Sequence, residues 1–552
     1  GETDEQLFEE TVEGAGAWRQ STVDLSAYAG SRIQRVLEAA RDLAGAAALW
    51  GAPIVSGGLD TAWPNVVFYV IDGAGADLMS VYGYEQPTTP FLETLAAESV
   101  VFERAFSNST WTQPSTVSFM TSLQHSVLGG LSRGVHSTAV PPEATTMAEQ
   151  FRAAGYQTAS FTSNPNAGRL IGLDRGIDLM RDGATAHHST SSVELHEMFR
   201  DFRRAYPGGP YWVHFQTTDV HEPNQPRKPF SGRLVDPKRR GQMMGWDMQM
   251  MMAGGRLFGT TSIREFYDEA LRMANIDRQG FFSTRRDLYL ETMMHQDEQL
   301  RRFVEDLKES GEWDNTLLII ASDHGHPAGT YSRFGRGLLD PQPEWWEGAM
   351  FDSYSSRVPM IWVWPAGIDG GRRVAEPVSM LDVLPTLLDL VGLPQPEVLQ
   401  GQSLAPLLRG DSMDVRPVVF DEFRVDDESG EMIGNLEIID GRWGASLEIR
   451  PAREGDDPAL GRHEVPVGGR WGARHPFDPD VPRLLLYDLE ADPFATRAVN
   501  AEHPDLVRHY TRVLLDQWRA HQALAQRFSS STEDVPLSPE QLEQLKALGY
   551  IQ

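Results

Sequence analysis

The chain contains no cysteine. This absence excludes disulfide bonds, cysteine-based zinc fingers, thiol nucleophiles and any active-site group that is made from a cysteine. Lysine is almost as rare, and the sequence has only Lys228, Lys238, Lys308 and Lys546. Almost every positive charge is therefore carried by an arginine.

Net positive charge and long apolar runs are missing as well. The formal charge is -29 and the pI is about 4.9. Nucleic acids and anionic membrane surfaces are bound by basic faces, so we expect neither as a partner. No apolar run approaches the roughly 18 residues that suggest a membrane span, and the longest, NVVFYVID, is typical of a buried strand. The first residues, GETDEQLFEE, do not form a signal peptide, which would also be true of a mature exported chain.

The 552 residues, 41% of them hydrophobic, can bury a large core. We expect residues 1–62 to form a β-rich extension or partial module, residues 63–414 an α/β domain, and residues 415–552 a small antiparallel sheet with a helix. In the middle domain, strand-like runs alternate with amphipathic helices, which predicts a doubly wound mixed sheet with helices on both faces. Residues 225–285 have the irregular pattern of an insertion. Its methionines, as in GQMMGWDMQMMMAGG, fit the packing of an irregular core better than the lining of a substrate pocket.

Four strand-like runs are followed by polar residues that can carry chemistry. The runs VVFYVID, TASFTSN, YWVHFQTTDVH and LLIIASDHGH supply Asp72, Asn164, Asp219, His221, Asp323, His324 and His326. Loops after strands are commonly polar, so one such run would indicate little. In an open α/β sheet, however, ligands bind beyond the carboxyl ends of the strands, at a shared edge. The four runs together predict one site at this edge.

A hydroxyl residue, Thr112, lies in the stretch NSTWTQPSTVSFMTS, where Pro114 suits the first position of a helix. A hydroxyl just before a helix can simply be an N-cap. The same position favours an anion, because backbone N–H groups and the helix dipole carry positive charge there. Asp72, Asp323 and His324 form a ligand set that suits Mn²⁺ or Zn²⁺, and Mg²⁺ or Ca²⁺ less well. A metal that touches Thr112 would favour its alkoxide and convert a poor nucleophile into a good one.

The order of these motifs resembles the sulfatase branch of the alkaline phosphatase superfamily over residues 65–408. The matching segments are NVVFYVID, QPTTPFLETLAAESVVFERAFSNSTWTQPSTVSFMTSL, GYQTASFTSNPN, HFQTTDVHEP, DNTLLIIASDHG, SRVPMIWVWPAG and LDVLPTLLDLVGL, and the ending LKALGYIQ is also typical. The resemblance implies an alkaline-phosphatase-like fold. It also implies a single retained metal site formed by Asp72, Thr112, Asp323 and His324.

The chain departs from the sulfatase pattern at the nucleophile. In the family's motif a Cys or Ser is followed by any residue, Pro, Ser and Arg, and that Cys or Ser becomes formylglycine. Here the motif has Thr112 at the first position and Thr116 in place of the arginine, and the family's pocket lysines have no counterpart. A threonine nucleophile resembles instead the superfamily's phosphodiesterases, phosphonate monoester hydrolases, and phosphoglycerol or phosphoethanolamine transferases. Gly73 replaces a second aspartate of many calcium sulfatases, which favours fewer and more nitrogen-rich ligands.

The resemblance assigns roles around this threonine. Thr112 would attack phosphorus and form a phospho-threonine, which water then releases. His221, in the HEP segment, is the candidate leaving-group acid, and its alternative is an ordinary hydrogen-bonded loop histidine. Asn164, Asn166 and His326 are candidate donors to the substrate, although the sequence SNPN also suits a turn.

These features together predict a hydrolase of phosphoric esters that prefers phosphodiesters or phosphonate monoesters. It would use one divalent metal and a small anionic ester as substrate. The alternatives are a sulfatase that acts without formylglycine, a phosphoryl-group transferase, and a catalytically silent relative that only binds. Transferases of this kind usually carry membrane helices, and the sequence shows no such run. The resemblance also indicates export to the periplasm or outside the cell, and the oligomeric state stays open.

Overall fold

The computed structural model describes residues 5–9, 23–28, 36, 63–128, 132–133, 136–137, 139–182, 190–206, 208–221, 224–254, 271–325, 356–425, 432–449, 484–492, 495 and 497–528. Most of the predicted N-terminal extension lies outside these residues, and its described part includes the short 3-10 turn Ser26–Tyr28. The predicted boundaries of the extension, the insertion and the C-terminal domain therefore stay predictions.

Strands and helices alternate along the described part of the chain. In chain order the strands are β1 Asn65–Ile71, β2 Val100–Phe106, β3 Ser132–Arg133, β4 His136–Ser137, β5 Gln157–Thr162, β6 Leu179–Asp182, β7 Tyr211–Thr217, β8 Thr316–Ala321, β9 Arg357–Val358, β10 Met360–Val363, β11 Arg372–Ser379, β12 Val418–Val425, β13 Met432–Asp440, β14 Trp443–Ile449 and β15 Leu484–Asp488. The helices are α1 Pro90–Leu95, α2 Thr112–Thr121, α3 Met147–Ala153, α4 Ser192–Ala205, α5 Pro237–Gly254, α6 Arg278–Glu309, α7 Val383–Val391, α8 Ala405–Arg409 and α9 Pro504–Ala525.

The main sheet is mixed, with a parallel centre. Its strand order is β11-β2-β10-β8-β1-β7-β5-β6, and the short β9 pairs with β2. β1 is parallel to both β7 and β8, whereas β10 is antiparallel to β8 and β2. The carboxyl ends of β1, β5, β7 and β8 consequently lie at one edge of the sheet.

Helices cover both faces of this sheet, as the sequence predicts. Side chains of β1 alternate between two apolar clusters, because successive residues of a strand point to opposite faces. Phe68 packs in the cluster that contains residues of α2, α3 and α7. Tyr69 packs in the other, which contains residues of α1, α4 and α6. Burial on both faces explains why NVVFYVI is a continuous apolar run, and it confirms the doubly wound α/β fold.

A separate antiparallel sheet follows, with the order β12-β13-β14-β15. Leu514 and Trp518 of α9 pack with Leu436 and Leu447 of this sheet in one apolar cluster. The predicted small C-terminal unit of antiparallel strands and a helix is confirmed.

A buried ion pair joins this second sheet to the segment that follows α2. Asp421 of β12 accepts hydrogen bonds from His125 Nδ1 at 2.8 Å and from the Ser126 N–H at 2.9 Å. Burial alone would raise the pKa of Asp421, but the charge and hydrogen bond of His125 outweigh it and lower that pKa. The C-terminal unit therefore fixes the position of the segment that directly follows α2.

The region of the predicted insertion packs on α6. Met243 of α5 belongs to an apolar cluster with Phe281 and Phe282, whereas Met244 is 70% exposed. The carboxylate of Glu291, on α6, accepts hydrogen bonds from three backbone N–H groups of the loop before α5, those of residues 232, 234 and 235. Among the described residues, no helix combines the length and the apolar character that a bilayer crossing requires.

Candidate active site

Two neighbouring strand ends form the floor of the candidate site. Asp72 follows β1 directly, and its N–H donates to the carbonyl of Thr217 at 2.9 Å. Asp323 lies two residues beyond β8, and its Oδ1 accepts a hydrogen bond from the Gly73 N–H at 3.1 Å. Ser322 joins the same two ends, since its Oγ accepts from the Ala74 N–H at 2.9 Å. The two carboxylates are therefore held side by side, and both are fully buried.

Tyr289 of α6 fixes the turn at Gly73 and Gly75, which follows β1. Gly73 has a φ of +70°, a conformation that residues with a Cβ rarely adopt. The hydroxyl of Tyr289 donates to the Gly73 carbonyl and accepts from the Gly75 N–H, both at 3.0 Å. A Cβ on Gly73 would lie 3.7 Å from His324 Cε1 and 3.8 Å from His221 Cδ2. The glycine thus lets the chain turn between two histidines.

Helix α2 begins at Thr112, two residues before the Pro114 that was predicted to open it. The reason is that the first turn of a helix needs no intrahelical N–H donors, so a proline is tolerated at its third residue as well as at its first. Trp111 is the N-cap residue and makes no side-chain cap. The N-cap interpretation of Thr112 is therefore wrong.

A serine pair ties the start of α2 to the end of β8. Ser107 Oγ lies 2.9 Å from Ser115 Oγ and donates to the Asp323 carbonyl. Ser115 Oγ in turn donates to the carbonyl of Ser109 at 3.1 Å. These contacts fix the first turn of α2 relative to the two carboxylates.

The Thr112 hydroxyl is buried and faces the strand ends. Its Oγ1 lies 3.1 Å from Asn164 Nδ2, 3.5 Å from Asp72 Oδ1 and 3.5 Å from His324 Nε2. The structure therefore brings together a hydroxyl, a carboxylate, an amide and an imidazole from four separate segments. Three of the four segments follow strands of the main sheet.

The asparagines of SNPN combine a turn with candidate donor groups. Asn164 Nδ2 donates to Asp72 Oδ2 at 2.6 Å as well as to Thr112, and its Oδ1 accepts from the Asn166 N–H at 2.9 Å. Asn166 is 3% exposed, and its side-chain Nδ2 has no hydrogen-bond partner among the described residues. A buried donor without an acceptor is costly, by about 1–3 kcal/mol, and is available to an incoming oxygen.

Gln216, which was not among the residues predicted for the site, also lies in this cluster. Its Nε2 donates to Asp323 Oδ2 at 2.9 Å and to Asp72 Oδ2 at 3.1 Å. It is the last but one residue of β7, inside a fully buried run. A polar amide in such a strand is the signal that could have identified it, because a buried polar group requires partners.

Asp219 and His221, the two polar residues after β7 that were predicted to join the site, have different positions in the structure. His221 Nε2 lies 3.9 Å from Asp72 Oδ1 and thus reaches the cluster. Asp219 does not join it, because its Oδ2 accepts the Ser192 N–H at the start of α4, at 2.7 Å, and its Oδ1 faces His295 Nε2 at 3.6 Å. His326 lies outside the described residues.

The donor set fits a divalent cation. Ligand atoms of Asp72, His221 and His324 all lie within 4.8 Å of one another. His324 Nδ1 lies 2.7 Å from the Gly325 carbonyl, which can only accept, so Nδ1 carries the proton and Nε2 presents a lone pair. That lone pair faces Asp72 Oδ1 at 3.5 Å, and a cation relieves the repulsion between two such acceptors.

Asp323 lies beside this group, with its Oδ2 at 3.8 Å from His324 Nε2. Burial and, after it, the charge of Asp72 raise the pKa of Asp323, as expected for two carboxylates that share one buried site. Compared with the predicted ligands Asp72, Thr112, Asp323 and His324, the structure adds His221 as a candidate. The metal's identity stays a prediction.

The chain matches a known family and a known fold. The sequence model of the family described as Sulfatase matches residues 64–393, more than half of the chain. The arylsulfatase of Clostridium perfringens is 22% identical over 433 residues, which cover 67% of this chain and 83% of that protein. An extracellular sulfatase homologue of Drosophila melanogaster is 33% identical over 162 residues, which cover 29% of this chain and 13% of the fly protein. The crystal structure of a phosphonate monoester hydrolase of Agrobacterium radiobacter superposes with a TM-score of 0.58 at 19% identity, covering 83% of this chain and 96% of that one.

Proposed function

Because the chain belongs to the sulfatase family of hydrolases, we propose that it hydrolyses phosphoric esters through a covalent intermediate on Thr112. One observation carries the proposal, namely that the Thr112 hydroxyl lies 3.1 Å from Asn164 Nδ2 and 3.5 Å from Asp72 Oδ1. Threonine cannot supply a formylglycine, because oxidation of its secondary alcohol gives a ketone and not an aldehyde. The hydroxyl itself is then the nucleophile.

The reaction takes two displacements at phosphorus. In the first, Thr112 Oγ1 bonds to phosphorus, its proton passes towards Asp72 Oδ1, and the bond to the leaving alcohol breaks. In the second, water attacks the same phosphorus and gives a proton to His221, the bond to Oγ1 breaks, and Oγ1 takes its proton back from Asp72. His221, whose side chain is 14% exposed, lies at the open side of the cluster and donates the proton to the leaving oxygen.

Negative charge develops on the phosphoryl oxygens during both steps. The Nδ2 groups of Asn164 and Asn166 are the candidate amide donors, and the positive end of the α2 dipole adds to them. Members of the family bind a divalent metal, which Asp72, Asp323 and His324 would hold here. Such an ion supplies Lewis-acid stabilisation of the oxygens. Because the proposal makes His221 the acid and not a ligand, His221→Ala is expected to keep its affinity for Mn²⁺, and a loss of that affinity would make His221 a ligand instead.

The charge of the site favours a substrate with one negative charge. Among the described residues, the ion pairs of Asp72 and Asp323 are with His221 and His324, and none is with an arginine or lysine. A divalent ion would balance the two buried carboxylates, and the second charge of a phosphate monoester dianion would then meet no arginine or lysine paired with this cluster among the described residues. Phosphodiesters and phosphonate monoesters carry a single negative charge and fit better.

A panel of aryl esters tests the substrate class. With Mn²⁺ or Zn²⁺ added, we expect kcat/KM for a bis-aryl phosphate or an aryl phosphonate to exceed that for aryl phosphate and aryl sulfate by about tenfold or more. Thr112→Ala is expected to lose the turnover of all four. Fastest turnover of aryl sulfate, with the rate kept by Thr112→Ala, would contradict both the chemistry and the nucleophile.

Sulfate ester hydrolysis is the second candidate, because the clostridial relative is named an arylsulfatase. A sulfate monoester is also a monoanion, and the same hydroxyl would attack its sulfur. A silent relative that only binds is the third candidate. A purified protein that contains stoichiometric metal would contradict this third candidate, and the panel of aryl esters separates all three.

A further inference from the structure

Gln216 is held in place by three strands of the main sheet. On β7 it pairs with Val70 of β1 on one side and with Thr162 of β5 on the other. The main-chain carbonyl of Gln216 also accepts hydrogen bonds from the N–H and Oγ of Ser163, at 3.0 and 3.1 Å. Its backbone therefore has little freedom, and its side chain begins from a fixed point below the two carboxylates.

The amide of Gln216 connects the two carboxylates directly. An amide nitrogen carries two hydrogens, so Nε2 can donate one to Asp323 Oδ2 at 2.9 Å and the other to Asp72 Oδ2 at 3.1 Å. The reverse orientation would place the amide oxygen against two carboxylate oxygens and is excluded by repulsion. The bridge leaves Asp72 Oδ1 directed at Thr112 and His324.

We propose that Gln216 is a positioning residue that holds Asp72 and Asp323 together in a metal-ready arrangement. Two buried carboxylates repel each other strongly when no cation lies between them. The two N–H groups of a single amide offset part of this repulsion and set the spacing of the carboxylates before the ion arrives. Because the carboxylates are already in place, ordering them costs less free energy when the ion binds, and the affinity for the ion is higher. The inference rests on the proposed function only in requiring a divalent ion at these carboxylates, and not on the ester that is hydrolysed.

The sequence offers a closely matched control in Gln296. This glutamine of α6 is also fully buried, and its Nε2 also donates a hydrogen bond, at 3.0 Å. Its acceptor is the Tyr69 hydroxyl and not a carboxylate of the site. Methionine is close to glutamine in size and has no N–H donors, so Gln216→Met and Gln296→Met remove equivalent groups at two places.

The test is the affinity of the purified chain for Mn²⁺ alone, measured without substrate from the electron paramagnetic resonance signal of the free ion. We expect Gln216→Met to weaken Mn²⁺ binding by about tenfold or more, as for other residues that orient metal ligands. Gln296→Met is expected to bind Mn²⁺ within about twofold of the parent, although it also loses a buried hydrogen bond. Unchanged affinity in Gln216→Met, equal losses in both variants, or a parent chain that binds no Mn²⁺ would each overturn the proposal. Because no ester is present, a failure of the phosphoric ester assignment leaves this result unaffected.

Discussion

Thr112→Val is expected to lower kcat for the preferred aryl ester by about four orders of magnitude or more, the scale of losses when a covalent nucleophile is removed. Valine keeps the branched shape of threonine and removes the hydroxyl that lies 3.1 Å from Asn164 Nδ2. Thr112→Ser keeps a hydroxyl and is expected to retain activity within about tenfold of the parent. Steady-state kinetics with added Mn²⁺ measure both variants.

The matched control is Thr116→Val, one helical turn further along α2. Thr116 is also fully buried, and its Oγ1 has no hydrogen-bond partner among the described residues. Removing this hydroxyl therefore changes the same helix without removing the proposed nucleophile. If Thr112→Val kept substantial activity, or if Thr116→Val lost as much, the hydroxyl of Thr112 would not be the attacking group.

Asp72→Asn is expected to weaken Mn²⁺ binding by more than about a hundredfold and to abolish most activity. Residues that only orient metal ligands contribute about 10–100-fold to affinity, and a direct ligand should exceed that range. Asp72 Oδ1 is the atom on which Thr112, His324 and His221 converge, at 3.5, 3.5 and 3.9 Å. Titration with Mn²⁺ and kinetics at saturating Mn²⁺ separate lost binding from lost catalysis.

Asp219→Asn is the matched control for Asp72→Asn. Asp219 also follows a strand of the main sheet, and its side chain is 5% exposed. Its carboxylate serves the start of α4 through the Ser192 N–H, a hydrogen bond that an asparagine oxygen can still accept. We expect Mn²⁺ affinity and kcat to stay within about twofold of the parent. Equal losses in the two variants would show that the carboxylates act through the fold and not through an ion.

The fold was accessible from the sequence because burial leaves a simple pattern. A run such as NVVFYVI, apolar on both faces, is typical of a central parallel strand, and β1 is one. The placement of polar residues after such strands also led to Asp72, Asp323 and His324, which the structure places together. Strand ends are informative because parallel strands bring them to one edge by topology alone.

Other features depend on side-chain directions that the sequence does not record. Asp219 and His221 are two residues apart in one loop, yet one serves α4 and the other reaches Asp72. Gln216 is a polar residue in the buried run YWVHFQT, which indicates that it needs a partner, but only the register of β7 against β1 places it below the carboxylates. The start of α2 was misplaced because proline is compatible with several positions in the first turn.

The stereochemical course at phosphorus tests the central claim most directly. A P-chiral thiophosphate diester is hydrolysed by the metal-loaded chain in oxygen-18 water, and the configuration of the product is determined. Attack by Thr112 followed by attack by water inverts the phosphorus twice, so the account predicts net retention whether or not the intermediate accumulates. Net inversion would show that water attacks the ester in a single step, and it would contradict a covalent intermediate on Thr112.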